Sequence, residues 1–560
     1  MGLKSNMGKK IFFIILIIVG IFLRFYQIHK IPAGLFMDEA TIAVDAKSIA
    51  QSGFDEYERS YPLAFEALSD FRPPGYVYLT SLAYEFLGPT TLSVRIVSLL
   101  SSILGIFLLG YFTKLLFPKK QLLPFISMAV LSVSPFHIHF SRIGYETMLA
   151  TTLMLLYFIA IIHLLKKPNL IWMIVGVLCA GISLWTYPGA KFIVPIVALT
   201  ILILGIFNIN FEFKRKNLII TPLIFLATAV LVYIPALLNP IFDKRPISYI
   251  KEGTDGTLLG IITKKPLLML NSWLYMFDFQ FLFKKGDLFA FRHGTKEQGL
   301  FLSIFAIPFI LGILAVIRRY SNKSFSIPFH IILTLVIGFP SALTSNTPYG
   351  TRILPILIPF SIFIALGIDI LIQKTEKIKP FIKIPAHVTV IVILVFQIFL
   401  FYHIYFVHFK KTSLPEFPKA SRDMDLFIRD FRIKNKQTPI YFLTERSCRQ
   451  WAHDDLHFWY FADLDNAEMV KWNNKFREIR YNNGSPFDNY DAATIPSHTF
   501  ENIHLYPGYE AVENSAKNSL IVRCGLHLKD IDESKEEIIK IFYMYEDEMR
   551  DAYYVITRKL

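Results

Sequence analysis

The chain has 560 residues, of which 53% are hydrophobic and 15% aromatic, and its mean hydropathy is +0.44. This composition excludes an ordinary soluble multidomain protein and is typical of a polytopic membrane protein. The formal charge of +14 is explained by Lys and Arg in cytoplasmic loops, so we expect no nucleic-acid partner.

The apolar residues gather into segments of about 20 residues, the length that crosses a hydrocarbon core of ~30 Å. The first segment, 11–23, follows several lysines, but apolar residues continue beyond it, so we interpret it as an uncleaved span rather than a signal peptide. Two further segments, 75–87 and 266–283, are too short or too polar to span, and we expect interfacial helices there. We predict eleven spans: 11–23, 92–116, 121–139, 147–165, 169–187, 190–208, 218–238, 299–317, 327–345, 350–372 and 384–406.

The distribution of Lys and Arg predicts the orientation of these spans. With the N-terminus in the cytoplasm, the short inner segments carry 17 basic residues and the short outer turns carry three. This asymmetry matches the positive-inside rule. The first external loop (29–91), a second large external loop (239–298) and all residues after 406 are therefore expected outside the cytoplasm of a multi-pass cell-membrane protein.

The composition changes after residue 406, which predicts a transmembrane domain of residues 1–406 and a soluble, mixed α/β domain of residues 407–560. In the second domain, "TPIYFLTE" and "NSLIVRC" alternate as strands do, whereas "SRDMDLFIRDF" and "SKEEIIKIFYMYEDEMRDAYYV" predict helices. Cys448 and Cys524 also lie there, and the sequence leaves open whether they form a disulfide.

Polar residues that suit catalysis lie in the predicted outer segments. Asp38 and Glu39 form an adjacent acid pair, and Arg72 precedes two prolines that hold the chain extended. Asp38 has an alternative role as the N-cap of a helix that Gly53 ends, and Arg72 as an interfacial anchor. The other candidates in these outer segments are Arg142, Glu146, Tyr187, Lys191, Arg292, His293 and Arg352.

The "DE" pair followed by "RPPG" resembles the first external loop of the polyprenol-phosphate-sugar glycosyltransferases with the GT-C fold. That family includes the lipid A aminoarabinose transferases and the protein O-mannosyltransferases. The resemblance implies a GT-C fold, a catalytic acid pair with Asp38 as base beside Glu39, and a donor phosphate bound by Arg72 and Arg352. It covers roughly residues 10–370.

Three other segments resemble parts of the same family. Arg142 and Glu146, four residues apart and predicted on one helical face, resemble its R-x-x-x-[DE] motif, with Glu in place of the usual Asp. "LWTYPGAKFIVP" contains Tyr187 and Lys191, and "FDFQFLFKKGDLFAFRHGTKEQG" contains Arg292 and His293. The last segment is expected to cover the donor or the acceptor, with an ordinary solvated loop as the alternative.

The expected function is an inverting glycosyltransferase that moves a sugar from a polyprenyl phosphate to an acceptor protein, lipid or cell-envelope glycan. A transporter or flippase is the alternative, although few ionisable residues lie at the centres of the predicted spans and the halves do not repeat. Two acidic triplets, at Asp423 and Asp465, match a nucleotide-sugar metal motif but are explained as surface acids. No obligatory cofactor is expected, and a divalent metal is left open.

The predicted orientation can be tested with single cysteines introduced at Ser52, Gly294, Ser485 or Asn322 of a variant without native cysteines. The first three will react with a membrane-impermeant thiol reagent added outside intact cells, and Asn322 will not. Labelling at Asn322 from outside would overturn the orientation. It would also remove the argument for a lipid-linked donor, since nucleotide sugars are made in the cytoplasm.

Overall fold

The computed structural model describes residues 2–67, 70–207, 213–238, 266–318, 326–344, 349–376, 378–443, 458–465, 467, 470, 498–500, 502–506, 515–524, 531–545 and 550–560. The chain divides into two compact units. The helical unit comprises Met1–Ile28, Phe71–Tyr76 and Val97–His408. The mixed unit comprises His29–Asp70, Val77–Ile96 and Phe409–Leu560.

Helices predominate among the described residues up to Thr412. The longer ones are Gly2–Phe25, Met37–Ser52, Gly75–Leu87, Thr91–Leu116, Leu123–Ser132, Pro135–Ser141, Glu146–Lys166, Leu170–Leu184, Ala190–Ile206, Arg215–Leu238, Pro266–Leu274, Ala306–Arg318, Ser326–Ile337, Phe339–Thr344, Leu357–Thr375 and Pro380–His403. Short helical segments are Tyr275–Phe277, Phe279–Phe283, Phe291–His293, Ser303–Phe305, Gly350–Ile353, Leu354–Ile356, Ile404–His408 and Phe409–Thr412. Both segments predicted as interfacial helices are helical, and their position at the interface stays a prediction.

Several of these helices have the length and composition of membrane spans. Within the described ranges, five qualify: Thr91–Leu116, Glu146–Lys166, Arg215–Val232, Gly350–Thr375 and Pro380–Thr412. A sixth forms if Leu123–Ser132 and Pro135–Ser141, which meet at an angle of 64°, count as one span. Four apolar helices are shorter: Leu170–Leu184, Ala190–Ile206, Ser303–Arg318 and Phe329–Ala342. The chain is therefore a mostly helical multi-pass membrane protein, while the count of eleven spans and their orientation stay predictions.

The bend between Leu123–Ser132 and Pro135–Ser141 has a local cause. Pro135 has no N–H to donate into the preceding helix. Ser134 caps the new helix, because its Oγ accepts a hydrogen bond from the His137 N–H at 3.2 Å. The Ser134 hydroxyl in turn donates to the Leu300 carbonyl at 2.7 Å. The bend is thus fixed by Ser134 and Pro135, the two residues at which it occurs.

A second break, at residues 142–145, separates Pro135–Ser141 from Glu146–Lys166. Arg142 follows the first helix and Glu146 begins the second. The prediction that these two residues share one helical face is therefore wrong. The Arg142 guanidinium instead donates to the carbonyls of Leu23 and Arg24 in the helix Gly2–Phe25.

A six-stranded sheet and the helix Lys419–Lys434 lie in the C-terminal part of the mixed unit. Two short strands earlier in the chain are β1, Phe65–Ala67, and β2, Asp70–Arg72. The sheet contains β3 (Ile440–Leu443), β4 (His498–Phe500), β5 (Ile503–Tyr506), β6 (Leu520–Cys524), β7 (Glu536–Tyr545) and β8 (Arg550–Lys559) in the spatial order β4-β5-β3-β6-β8-β7. The predicted mixed α/β character is confirmed, and its location outside the cytoplasm stays a prediction.

The centre of this sheet is parallel and its margins are antiparallel. β3 pairs in parallel with β5 and β6, so that Ile440 lies opposite both Ile503 and Leu520. The pairs β4–β5, β6–β8 and β7–β8 are antiparallel. Ile440, Ile503 and Leu520 are all wholly buried, which places the core at this central register.

The helix predicted over "SKEEIIKIFYMYEDEMRDAYYV" is wrong, because this segment forms β7 and β8. Its charged residues recur at a spacing that suggests a helix, but its isoleucines and aromatic residues favour an extended chain. The pairing of these strands also provides partners for a buried carboxylate. Glu536 pairs with Arg523 and accepts a hydrogen bond from the Thr557 hydroxyl at 2.6 Å. The strands predicted in "TPIYFLTE" and "NSLIVRC" and the helix in "SRDMDLFIRDF" are confirmed. Cys448 lies outside the described residues, so its pairing stays open.

Candidate functional site

The helix Met37–Ser52, which we call the acid helix, carries the predicted acid pair in its first turn. Phe36 occupies the N-cap position with an extended backbone, and Gly53 ends the helix with a φ of 75°. Asp38 is half-buried in the first turn. The alternative that Asp38 caps the helix is wrong, because Glu39 reaches back and accepts a hydrogen bond from the Phe36 N–H at 3.2 Å.

Glu39 forms a buried ion pair with Arg95. The Arg95 Nε lies 2.9 Å from Glu39 Oε1, and the Nη2 lies 3.1 Å from Oε2. Arg95 also donates to the carbonyl groups of Pro32 at 2.8 Å and Gly34 at 2.5 Å. Both charged side chains are wholly buried. This pair fixes the chain that enters the acid helix, which favours a positioning role for Glu39.

The sequence interpretation missed Arg95. The available indication was a single Arg near the start of the predicted span 92–116, where an ionisable residue is costly and needs a partner. Such a residue predicts a buried ion pair without revealing the partner. Glu39 belongs to a motif that resembles a catalytic acid pair, and it lies 56 residues from Arg95 in the chain. The sequence therefore does not indicate that these two residues pair.

The far end of the acid helix is held by C-terminal residues of the same unit. Lys47 is 1% exposed, and its Nζ lies 2.9 Å from Asp463 Oδ1. The same ammonium donates to the carbonyls of Trp459 at 3.1 Å and Leu464 at 2.8 Å. Burial lowers the pKa of Lys47, and the Asp463 carboxylate opposes this shift. The ammonium thus has an acceptor for each of its three protons.

C-terminal residues also contact the chain just before the acid helix. The Arg422 guanidinium donates to the Ala33 carbonyl. The Phe36 ring packs edge-on against Phe417, with 5.6 Å between ring centroids. A Cβ added at Gly34 would lie 2.6 Å from the Pro418 carbonyl oxygen, so the two segments touch closely. The residues after 408 therefore contact both ends of the helix that carries Asp38.

In the helical unit, the turn after Arg72 packs against residues 185 and 186. Arg72 is buried at the end of β2, and the Gly75 N–H donates to the Trp185 carbonyl at 3.0 Å. A Cβ at Gly75 would lie 2.4 Å from Thr186 Oγ1, so this approach requires glycine. The predicted stiff entry into the helix Gly75–Leu87 is thus held in place at its first residue.

Tyr187, which follows Thr186, connects this segment to the turn that carries Arg352, the second predicted phosphate ligand. The Tyr187 side chain is buried, and its hydroxyl donates to the Thr351 carbonyl at 3.1 Å. Arg352 follows directly in the chain. The segment 185–187 therefore contacts both the Arg72 turn and the Arg352 turn, so these two predicted residues belong to neighbouring parts of the helical unit.

Arg292, Tyr349 and Arg352 form a group that we call the arginine–tyrosine cluster. The Arg292 Nη2 lies 3.4 Å from the Tyr349 hydroxyl oxygen, and the Arg352 guanidinium carbon lies 4.6 Å from the Tyr349 ring centroid. Both arginines are half-buried. Two guanidinium groups on one phenol form an arrangement that suits a phosphate, which arginine binds through paired N–H donors.

Asp287 ties the loop of Arg292 to the turn of Arg352. Its Oδ2 lies 2.7 Å from His293 Nδ1 and accepts the Gly350 N–H at 2.6 Å. Its Oδ1 accepts the Phe289 N–H at 2.7 Å. Arg292 directly precedes His293 in the chain, and Arg352 lies two residues after Gly350, so Asp287 helps to set the separation of the two arginines.

The remaining candidates have less to indicate a role in binding or catalysis. Arg142 is wholly buried, donates to the carbonyls of Leu23 at 2.7 Å and Arg24 at 3.0 Å, and stacks on Phe406 at 4.9 Å. These contacts indicate a structural role. Glu146 is buried at the first turn of its helix, and Lys191 is half-buried at the first turn of Ala190–Ile206.

The described part of the chain contains no cluster of three or more His, Cys, Asp or Glu residues that suits a metal ion. Asp423, in the first acidic triplet, instead pairs with Lys419 at 2.6 Å and Arg422 at 2.7 Å. Asp465 accepts the Ala467 N–H at 2.7 Å. Asp465 is exposed, as expected of a surface acid, whereas Asp423 is half-buried and Asp425, in the same triplet, is wholly buried, so the expectation of surface acids is wrong for that triplet.

Comparison with known proteins identifies the fold. No family model matches the chain, and no curated protein sequence matches it. ArnT from Cupriavidus metallidurans bound to undecaprenyl phosphate is 11% identical, with 98% of each chain covered and a TM-score of 0.54. AglB, an archaeal oligosaccharyltransferase from Archaeoglobus fulgidus in complex with an inhibitory peptide and a dolichol-phosphate, is 12% identical, with a TM-score of 0.52. That match covers 82% of this chain and 63% of AglB.

These similarities confirm the predicted GT-C fold. The match to ArnT extends over nearly the whole chain, including the C-terminal part that the sequence resemblance did not reach. At such low identity the similarity establishes the fold alone. The activity therefore has to be argued from the side chains of this protein.

Replacing Arg95 with Met will destabilise the protein by about 3–5 kcal/mol, because the buried Glu39 loses its cation. The double variant Glu39→Gln/Arg95→Met will recover part of this loss. Thermal unfolding of the purified protein in detergent measures both effects. Arg429→Met is the matched control, since Arg429 lies in an exposed ion pair that contributes little. Equal unfolding temperatures for the Arg95 and Arg429 variants would show that the buried pair does not hold this region.

Proposed function

We propose that this protein is an inverting glycosyltransferase that takes a sugar from a polyprenyl phosphate and transfers it to an acceptor. The main support is the arginine–tyrosine cluster in a chain with the GT-C fold. Arg292 and Arg352 present two guanidinium groups around Tyr349, which suits a phosphate group. The solved structures of ArnT and AglB contain undecaprenyl phosphate and dolichol-phosphate respectively.

In this proposal, Arg72 and Arg352 bind the phosphate of the lipid-linked donor, and Arg292 assists. When the bond between the anomeric carbon and the phosphate oxygen breaks, that oxygen gains negative charge. Fixed guanidinium groups stabilise charge that grows in the transition state. They do so with little reorganisation when the surrounding structure already holds them in place, as the Gly75, Tyr187 and Asp287 contacts do here.

Asp38 is the proposed general base, which takes the proton from the acceptor hydroxyl or amine as it attacks the anomeric carbon. Its place in the first turn puts the carboxylate near the N-terminal end of the acid helix, where a negative charge interacts favourably with the helix dipole. The attack comes from the side opposite the phosphate and inverts the anomeric configuration. Glu39 contributes by holding Asp38 in place through Arg95.

The proposed reaction takes place on the outer face of the cell membrane. In this proposal the C-terminal domain lies on the same side, and the N-terminus lies in the cytoplasm. The charge asymmetry of the predicted loops supports this orientation. A transferase outside the cytoplasm needs a sugar that a lipid has carried across the membrane. The acceptor is then a protein, a lipid or a cell-envelope glycan reached from that side.

The kinetic test compares Asp38→Asn, Asp38→Ala and Glu39→Gln by their rate of sugar transfer from a lipid-linked donor. Because Glu39 rather than Asp38 satisfies the helix N-terminus, both Asp38 variants will fold. Both will lose about 10²- to 10⁴-fold in rate, as expected for removal of a general base. At matched folding Glu39→Gln will be less impaired, because it keeps the proposed base Asp38, and Gln still accepts the Phe36 N–H although it takes the counter-charge from Arg95. Near-normal turnover of Asp38→Asn would assign the base to another residue.

A further inference from the structure

Residues 458–464, which we call the clamp segment, belong to the mixed unit and are largely buried there. Residues 458–461 form one helical turn, and the Ala462 N–H donates to the Phe458 carbonyl at 3.0 Å. Every side chain of the clamp segment is buried except that of Asp463. The backbone of Asp463 has a φ of 54°, a left-handed conformation that is uncommon outside glycine and persists only when the surrounding contacts fix it.

The clamp segment holds Lys47 of the acid helix with three acceptors. Asp463 Oδ1 lies 2.9 Å from the Lys47 Nζ, and the carbonyls of Trp459 and Leu464 accept from it at 3.1 Å and 2.8 Å. The Trp459 carbonyl belongs to the C-terminal end of the helical turn, which attracts a cation. Because Lys47 is buried, an ammonium that lost these acceptors would be left unpaired at a large cost in free energy. The acid helix is therefore firmly attached to the clamp segment.

Tyr460 lies in the same helical turn and contacts the start of the helix Thr91–Leu116. Its hydroxyl lies 2.7 Å from Ser93 Oγ and donates to the Thr90 carbonyl at 3.0 Å. Tyr460 and Ser93 are both buried. Buried hydroxyl groups need hydrogen-bond partners, so these two contacts fix the distance between the clamp segment and this helix.

These contacts close a ring that includes the acid helix. Glu39 pairs with Arg95, which lies two residues after Ser93 on the helix Thr91–Leu116. Ser93 contacts Tyr460 of the clamp segment. The clamp segment in turn binds Lys47, about two turns beyond Glu39 along the acid helix. A shift or a rotation of the acid helix would break contacts at two separate points of this ring, so the ring restrains both movements.

We propose that the clamp segment is a positioning element for the proposed reaction, in which Lys47, Tyr460 and Asp463 fix the acid helix and so direct the Asp38 carboxylate at the acceptor. These three residues act through the acid helix and do not contact the reacting atoms. A displacement of about 1 Å in a catalytic group can cost about 10²-fold in rate. This inference rests on the proposed function and adds to it a catalytic requirement for residues of the C-terminal part.

The first measurement is amide hydrogen exchange of the purified full-length protein in detergent, read by mass spectrometry over the acid helix and over strands β3, β6 and β8. Tyr460→Phe keeps the ring and removes only the hydroxyl. Asp463→Asn removes the charge that faces Lys47, while Asn still tolerates the left-handed conformation. Tyr543→Phe removes a hydroxyl from β7 of the same unit and is the matched control.

In Tyr460→Phe and Asp463→Asn, the amides of the acid helix will exchange about 3- to 10-fold faster, the effect of one lost hydrogen bond or ion pair. The amides of the three strands will exchange at the wild-type rate, and Tyr543→Phe will change neither region. Unchanged exchange of the acid helix would show that the clamp segment does not hold it. Equal increases in the helix and the strands would indicate a general loss of stability and would overturn the positioning role.

The second measurement is sugar transfer in cells that lack the gene and carry each variant at a matched protein level, read by mass spectrometry of glycans and glycolipids shortly after induction. Tyr460→Phe and Asp463→Asn will transfer about 10- to 100-fold less sugar than the wild type, and Tyr543→Phe will match it. Normal transfer despite faster exchange of the acid helix would overturn the positioning role. If the wild-type gene restores no sugar, the proposed function is refuted and the catalytic role with it, whereas the exchange data still decide whether the clamp segment holds the acid helix.

Discussion

The buried ion pair between Glu39 and Arg95 is the constraint on which the placement of Asp38 depends. A buried charge is tolerated only when its partner and its remaining hydrogen-bonding groups are in place. Here Arg95 also donates to the carbonyls of Pro32 and Gly34, and Glu39 also accepts the Phe36 N–H. A shift of the acid helix along its axis would break all of these contacts together. Lys47, with its three acceptors from residues 459–464, resists the same shift at the other end of the helix.

Three arginines of the helical unit differ both in burial and in the groups that they contact. Arg142 is wholly buried, and its donors bind carbonyl groups of the first helix, so it holds two helices together. Arg292 and Arg352 are half-buried, and both contact Tyr349: Arg292 lies near its hydroxyl, and Arg352 lies over its ring. Because these two residues are partly exposed, an anion can reach them more easily than it can reach Arg142.

The sequence was sufficient to predict the helical membrane part and the acid helix with its end at Gly53, because apolar runs and glycine positions are local features. The GT-C fold was predicted from the resemblance of the "DE" and "RPPG" motifs to a known family, and the comparison with ArnT confirms it. It failed at β7 and β8, where charges at helical spacing concealed strands that are stabilised by partners such as Arg523. It also missed Arg95 and Lys47, whose partners lie far away in the chain.

The central claim is that the protein transfers a sugar from a polyprenyl phosphate. Mass spectrometry of the glycans, glycolipids and polyprenyl phosphates from cells with and without the gene tests this claim most directly. The account predicts that, in cells without the gene, one acceptor lacks a sugar while the polyprenyl phosphate that carries the same sugar accumulates. Identical acceptor and lipid profiles in the two kinds of cell would contradict it.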